Sequence, residues 1–397
     1  MNDLFIDVDY AQIYKSGQKI GGDVFLLSRN PDRQQIVCTL SDGLGSGVKA
    51  NVLASLTAHM AHKLSFSEMD LTHSAKIIMN TLPVCKERKI SYATFSIVDI
   101  RHPLPDDIQV NLVEYDNPLA LLFRESASIE WGREKIELHR EGAFKKEELS
   151  RSSFQMVVGD RLIVFSDGVT QAGMGKGLPL GWRLGGVREY AQQQIEKNPS
   201  ISSHDLSRAI ARKANGLDRL ASKDDITVMV VYVRRPRRTL VVTGPPFTKD
   251  KDEAFAEKIR SYEGRKILSG GTTALIVSRL FNKKLKVDLS CWSPEVPPVS
   301  IMEGIDLVTE GMLTLSKVAT ALEQKTSIRT LPNDAVRKFL EIMQDSDQVH
   351  FIVGTKINEA HQDPSIPVEI GIRRTIIGRL RKALEDNYLK ETSQEYL

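Results

Sequence analysis

Residues 40–51 read LSDGLGSGVKAN, and what precedes and follows them sets the architecture. Upstream, QQIVCTLSD (34–42) is a strand pattern rich in Val, Ile and Thr. Downstream, apolar residues recur at helical spacing at Val48, Val52, Leu53, Leu56, Met60 and Leu64. A strand ending in Asp42-Gly43 therefore turns through glycines into a helix over 47–64, with Ser46 placed as its N-cap. The turn is not a dinucleotide fingerprint, because Val48 stands at the third glycine position and Asp42 would face the pyrophosphate. Nor is Ser46 a nucleophile elbow, since Leu44 and Val48 occupy its glycine positions.

The same punctuation recurs along the chain. Gly21-Gly22-Asp23, Ser166-Asp167-Gly168 and Asp224-Asp225 also adjoin apolar strand patterns, the last one leading into DITVMVVYV (225–233). A lone Asp-Gly at a strand end is an ordinary turn. Four carboxylate positions at the ends of central strands repel one another unless a cation neutralises them, which points to a metal site at the edge of the sheets. All the donors are hard oxygens. No HExxH or Cys/His spacing recruits zinc, and His59 and His62 read as ordinary helix residues. Carboxylate, carbonyl and water ligands suit Mg²⁺ or Mn²⁺, and two such ions sharing a carboxylate suit phosphoester hydrolysis.

Composition sets the frame. The 397 residues carry 54 basic and 51 acidic side chains, a net charge of +3, and are 41% hydrophobic. Length predicts two or three domains, and near-neutrality argues against a dedicated nucleic-acid binder. Cys38, Cys85 and Cys291 are widely separated, which excludes a zinc ribbon or disulfide framework and favours a reducing compartment. With no signal-peptide pattern and no apolar run of ~18 residues, the expectation is a cytoplasmic chain without membrane or nucleic-acid partners.

RRPRR (234–238) marks a seam, because four arginines around a proline read as a solvated linker. The expected domains are 1–235 and 239–397. In the first, further strands are read at 92–100, 108–116, 118–124, 154–160, 161–168 and 225–233, and helices at 71–82, 187–197 and 203–214. Strands outnumber crossover helices, which predicts an α+β domain with mostly antiparallel sheets and helices outside. The second reads as α/β: TLVVTGPP, DEAFAEKIRSYEG, KILSGGTTALIVSRLF, VHFIVGT and a C-terminal amphipathic helix. Within it, Ser269-Gly-Gly-Thr-Thr273 is a tight strand-to-helix turn capped by Thr272, or else a nucleotide or phosphate sensor regulating the first domain.

GGDVFLL (21–27), LSDGLGSGVKAN (40–51), FSDGVTQA (165–172) and DDITVMVV (224–231) together resemble, in order, the motifs of the metal-dependent (PPM/PP2C-type) serine/threonine protein phosphatases, in particular their SpoIIE branch. The resemblance covers about residues 1–235. It implies a PP2C-like antiparallel β-sandwich flanked by helices, followed by a smaller α/β domain. It also implies two Mn²⁺ or Mg²⁺ ions, with Asp42 bridging them, Asp23 and the Gly43 carbonyl on one, and Asp167 and Asp224 on the other. Asp42, Asp167 and Asp224 are thereby the candidate catalytic residues, with Asp225 supporting. The reaction implied is hydrolysis of phosphoserine or phosphothreonine on a bacterial regulatory protein, an anti-sigma factor antagonist-like partner, by a metal-bridging hydroxide. The family arginine that holds the phosphate has no counterpart before Asp23. The helix over 47–64 resembles the branch's switch element. The competing expectation is a non-enzymatic signalling module that keeps the fold and binds ligands through its second domain.

Overall fold

The computed structural model describes residues 4–30, 33–45, 47–67, 69–81, 93–104, 107–138, 147–355, 366–388 and 390–397. The chain divides into two compact units, Met1–Arg235 and Pro236–Leu397. Ser46, the expected cap, and Cys85 lie outside the described residues.

The first unit runs β1 (Phe5–Ile13), β2 (Asp23–Asn30), β3 (Gln35–Gly43), α1 (Val48–Ser65), α2 (Leu71–Thr81), β4 (Ala93–Leu104), β5 (Asp107–Tyr115), β6 (Leu121–Arg124), β7 (Ala127–Ile129), β8 (Glu134–Leu138), β9 (Glu147–Met156), β10 (Arg161–Phe165), α3 (Asp167–Thr170), α4 (Arg183–Lys197), α5 (Ser203–Leu217) and β11 (Ile226–Arg234). Two antiparallel sheets form, in the orders β1-β11-β10-β6-β7 and β2-β3-β4-β5-β9-β8.

Strand periodicity explains why the apolar runs are so dense. In β11 every residue is buried. Met229, Val231 and Val233 point into the core between the sheets, beside Ile36, Cys38, Leu40 and Val110. Ile226, Val228 and Val230 point the other way, against Val187 and Ala191 of α4 and Leu206 and Ile210 of α5. The second sheet is likewise two-faced, with Val37, Phe95 and Ile97 turned to Ala61 of α1 and Ile78 of α2. A strand covered on both faces loses its polar alternation and reads as a continuous apolar stretch.

Helix α1 departs from the expected orientation. Its buried residues are Ala50, Ala54, Thr57, Ala58, Ala61 and Ser65, whereas Val48, Val52 and Leu56 are exposed. Small side chains let the helix backbone lie close on the sheet, and that proximity decides which face goes in. The N-cap is Gly47, with no side-chain capping bond. RRPRR is also less solvated than expected. Arg234 is buried, with Nε 3.3 Å from Asp7 Oδ2 and its guanidinium over the Phe5 ring.

The second unit contains β12 (Arg238–Thr243), α6 (Asp252–Ser261), β13 (Arg265–Ser269), α7 (Gly271–Phe281), β14 (Lys286–Asp288), β15 (Val299–Met302), β16 (Ile305–Thr309), α8 (Met312–Glu323), α9 (Ala335–Gln344), β17 (Gln348–Val353), α10 (Ile366–Tyr388) and β18 (Glu391–Tyr396). Its single sheet has the order β14-β15-β16-β13-β12-β17-β18. The pairs from β16 to β18 are parallel, and β14 and β15 add an antiparallel edge. Leu240 and Val242 face Phe255 and Ile259 of α6 and Val277 of α7. Val241 faces the opposite layer, with Leu315 of α8, Phe339 of α9 and Leu380 of α10. Among the described residues no helix is long and apolar enough to cross a membrane.

One buried acid makes the first unit's stability pH-dependent. Glu114 of β5 is 3% exposed and accepts a 2.7 Å hydrogen bond from the Ala120 amide. Arg133 Nε stands 3.7 Å away, too far to repay desolvation, and burial pushes the Glu114 carboxyl up to about 7. A raised acid pKa favours the folded state below the unfolded value and loses that benefit as pH rises to the folded one. The folded chain should therefore lose on the order of 3 kcal/mol from this group between pH ~4.5 and 7. Urea unfolding of the wild type and Glu114→Gln across that range checks this, and the variant should show a flatter profile.

Candidate metal centre

The carboxylates meet at one edge of the sandwich because four elements start or end there. Asp23 opens β2 and pairs in register with Asp42 near the end of β3. Asp167 opens α3 directly after β10, and Asp224 precedes β11. Asp23 is 3% exposed, and its Oδ2 accepts a 2.6 Å hydrogen bond from Thr227 Oγ1. Burial and the charges of Asp225 and Asp167 still push its carboxyl up to about 7. Asp42 rises further, to about 9, through burial and the neighbouring Asp23, Asp167 and Asp224. Asp167 is pushed to about 6 by burial, Asp224 and Asp116, and Asp224 is raised mainly by burial. The carboxylates thus share one electrostatic neighbourhood.

Around them the chain builds a fixed frame. Asp225 takes no part as a free carboxylate, because its Oδ2 accepts from the Gly22 amide at 2.5 Å and its Oδ1 from the Lys15 amide at 2.8 Å. The Ser166 amide donates to the Thr227 carbonyl, and the Thr227 amide donates back to Ser166 Oγ at 3.1 Å, locking β10 to β11. Gln171 Nε2 donates to Asp167 Oδ2 at 2.6 Å and fixes that carboxylate. Asn51 Nδ2 of α1 donates to the Gly21 carbonyl at 2.8 Å. Two glycines permit the packing: a Cβ on Gly43 would lie 2.1 Å from the Ala50 carbonyl oxygen, and one on Gly168 would lie 2.0 Å from that of Asp225.

The donor set fits a hard divalent cation. Asp167 Oδ1 is buried with no hydrogen-bond partner, and burial together with neighbouring carboxylates raises the four carboxyls. Among the described residues no group of three His, Cys, Asp or Glu side chains is arranged to hold one ion by itself. Sequence reading missed Asp116, which lies beyond the β5 strand in a left-handed conformation (φ 54°) and acts on Asp167. No motif marks it; only the fold brings it close. Ser166 and Thr227 likewise look like ordinary residues beside the acidic motifs.

The first unit, two antiparallel sheets clad by helices, has a PP2C-like α+β fold. The family model for Stage II sporulation protein E (SpoIIE) matches residues 32–234, just over half of the sequence, and the chain belongs to that family. No curated protein matches it. Among solved structures it is similar to the phosphatase domain of the cell fate determinant SpoIIE from Bacillus subtilis, at 18% identity over 59% of this chain and 95% of that one, with a TM-score of 0.42. RsbX in complex with magnesium matches at 19% identity over 57% of this chain and 95% of that one, TM-score 0.40. The catalytic domain of the serine/threonine phosphatase PstP, in complex with two manganese ions, matches at 14% identity over 58% and 100%, TM-score 0.38.

The close approach at Gly43 can be tested directly. Gly43→Ala should lower stability by about 3 kcal/mol or more, since its methyl group meets backbone rather than a movable side chain. Gly132→Ala, with nothing within 4 Å of the added methyl, should be near neutral. Thermal unfolding midpoints of the two variants separate the cases.

Proposed function

We propose that the chain is a divalent-metal-dependent protein phosphatase acting on phosphoserine or phosphothreonine of a regulatory protein. The observation that carries this reading is the convergence of Asp23, Asp42, Asp167 and Asp224, all with raised carboxyl pKa values, inside the family-matched unit. Asp42 would bridge two Mn²⁺ or Mg²⁺ ions, with Asp23 and the Gly43 carbonyl on one side and Asp167 and Asp224 on the other. Bound there, the ions supply charge neutralisation, activation of water near neutral pH and stabilisation of phosphoryl oxygens.

The chain's own residues hold that arrangement open. Thr227 orients Asp23, Gln171 orients Asp167, and Asp225 ties the start of β2 to the segment before β11. No cysteine or serine nucleophile is required, and Cys38 and Cys291 are buried as free thiols, in keeping with a cytoplasmic setting. Family membership supports a partner of the anti-sigma factor antagonist type as the phosphorylated substrate.

Hydrolysis of a phosphoserine peptide should depend on added Mn²⁺ or Mg²⁺ and disappear in EDTA. Asp42→Asn should lower the rate by roughly 100-fold or more. Equal rates in the two proteins would refute the site assignment, and no turnover with any divalent metal would turn the reading to a binding module.

A further inference from the structure

The second unit holds a feature that the phosphatase reading does not use. Strands β13 and β16 are parallel neighbours, and each feeds through a glycine into a helix. The N-cap of α7 is Gly270 and that of α8 is Gly311; neither helix has a side-chain capping bond. Thr272, the cap expected from sequence, instead lies within the first turn. The two caps adjoin, since a Cβ on Gly311 would lie 3.4 Å from Gly270 Cα. Both have positive φ, 134° and 145°.

Two helix N-termini therefore open side by side, without a carboxylate or hydroxyl cap. The amides of Gly270 and Gly271 are used in bonds to the Thr309 and Glu310 carbonyls. Those of Thr272 and Thr273 in α7, and of Met312, Leu313 and Thr314 in α8, lie in first turns where helix geometry supplies no acceptor. A second observation points to what completes the site. Thr273 is 1% exposed, and its Oγ1 has no hydrogen-bond partner. That oxygen lies 3.2 Å from where a Cβ on Gly270 would sit, so it is aimed into the hollow the glycine leaves. Thr314, at the matching position of α8, is fully buried and its hydroxyl is also unpartnered. Below them, Thr309 Oγ1 donates to Ser269 Oγ at 3.0 Å and holds the strand ends together.

We propose that the paired N-termini of α7 and α8, with the hydroxyls of Thr273 and Thr314, form a binding site for a phosphoryl group. Converging amides and two helix dipoles favour a compact multivalent oxyanion. Both threonine hydroxyls can turn between two χ1 wells to donate to it. Glu310 is exposed between the two termini and its charge opposes the anion, which keeps affinity for phosphate moderate. The ligand is either free phosphate or the phosphomonoester of a small molecule.

The test uses the full chain in EDTA, which removes the divalent ions through which the first unit would hold phosphate. Its thermal midpoint is followed against inorganic phosphate and, separately, ribose 5-phosphate, with chloride of equal ionic strength as reference. A saturable rise at millimolar concentration is expected with phosphate, ribose 5-phosphate or both, and the tighter of the two names the source. Thr272→Glu places a carboxylate in the first turn of α7, where it favours the helix, so the fold should persist while the rise is lost. Thr273→Val should keep or raise the basal midpoint and weaken binding at least threefold. Glu310→Gln should tighten it, and Asp42→Asn should leave it unchanged. No rise above chloride with either compound, or a full rise in Thr272→Glu, would overturn the proposal.

Discussion

Asp23 and Asp42 face each other across a pair of antiparallel strands, and their mutual repulsion in a buried setting is the constraint around which the first unit is arranged. Like charges placed this way oppose folding unless the surrounding structure is rigid and a counter-charge is at hand. The rigidity comes from ordinary groups. Thr227 holds Asp23, Asp225 holds the amides of Gly22 and Lys15, and Ser166 and Thr227 exchange bonds across two strands. The sandwich core behind them leaves these strands no freedom to separate. Stability of the fold is thus spent on keeping a locally unfavourable cluster in place, as functional sites commonly require.

Much of this was legible because strand ends in this chain are marked twice, by loss of apolar residues and by Asp next to Gly. The α+β class with antiparallel sheets, and the α/β character of the C-terminal region, follow from how strands and helices alternate. What could not be read was which face of α1 is buried. Val48, Val52 and Leu56 make the stronger apolar stripe, yet the alanine face goes in, because the Gly43 backbone allows an approach that larger side chains would block. Periodicity identifies a stripe but carries no information on how near the partner backbone stands. Strand β18, ETSQEY, escaped for the opposite reason: it is polar throughout, and is held as an edge by its ladder to β17 and by contacts such as Lys258–Glu395. Asp116 and the Ser166–Thr227 exchange were invisible because only tertiary proximity gives them a role.

The two units solve the problem of helix and strand termini in different ways. In the first, acidic residues gather where strands end and leave excess negative charge. In the second, the parallel sheet directs helix N-termini to one edge, and glycine caps leave amides and buried hydroxyls in excess as donors. The first arrangement calls for cations and the second for anions. In both, backbone direction brings the termini together and the side chains placed there set the sign.

Strand β11 belongs to two cores at once, with successive residues assigned alternately to the sandwich interior and to the helical layer. Such a strand can exchange one apolar residue for another of similar volume on either side. It has no solvent face in which to hide an added or missing residue. A single-residue insertion or deletion would send the side chains on one side of it to the wrong core, and a slip taken up on the N-terminal side would shift Asp224 relative to the other acids. In this segment the length of the chain is under stricter constraint than its composition.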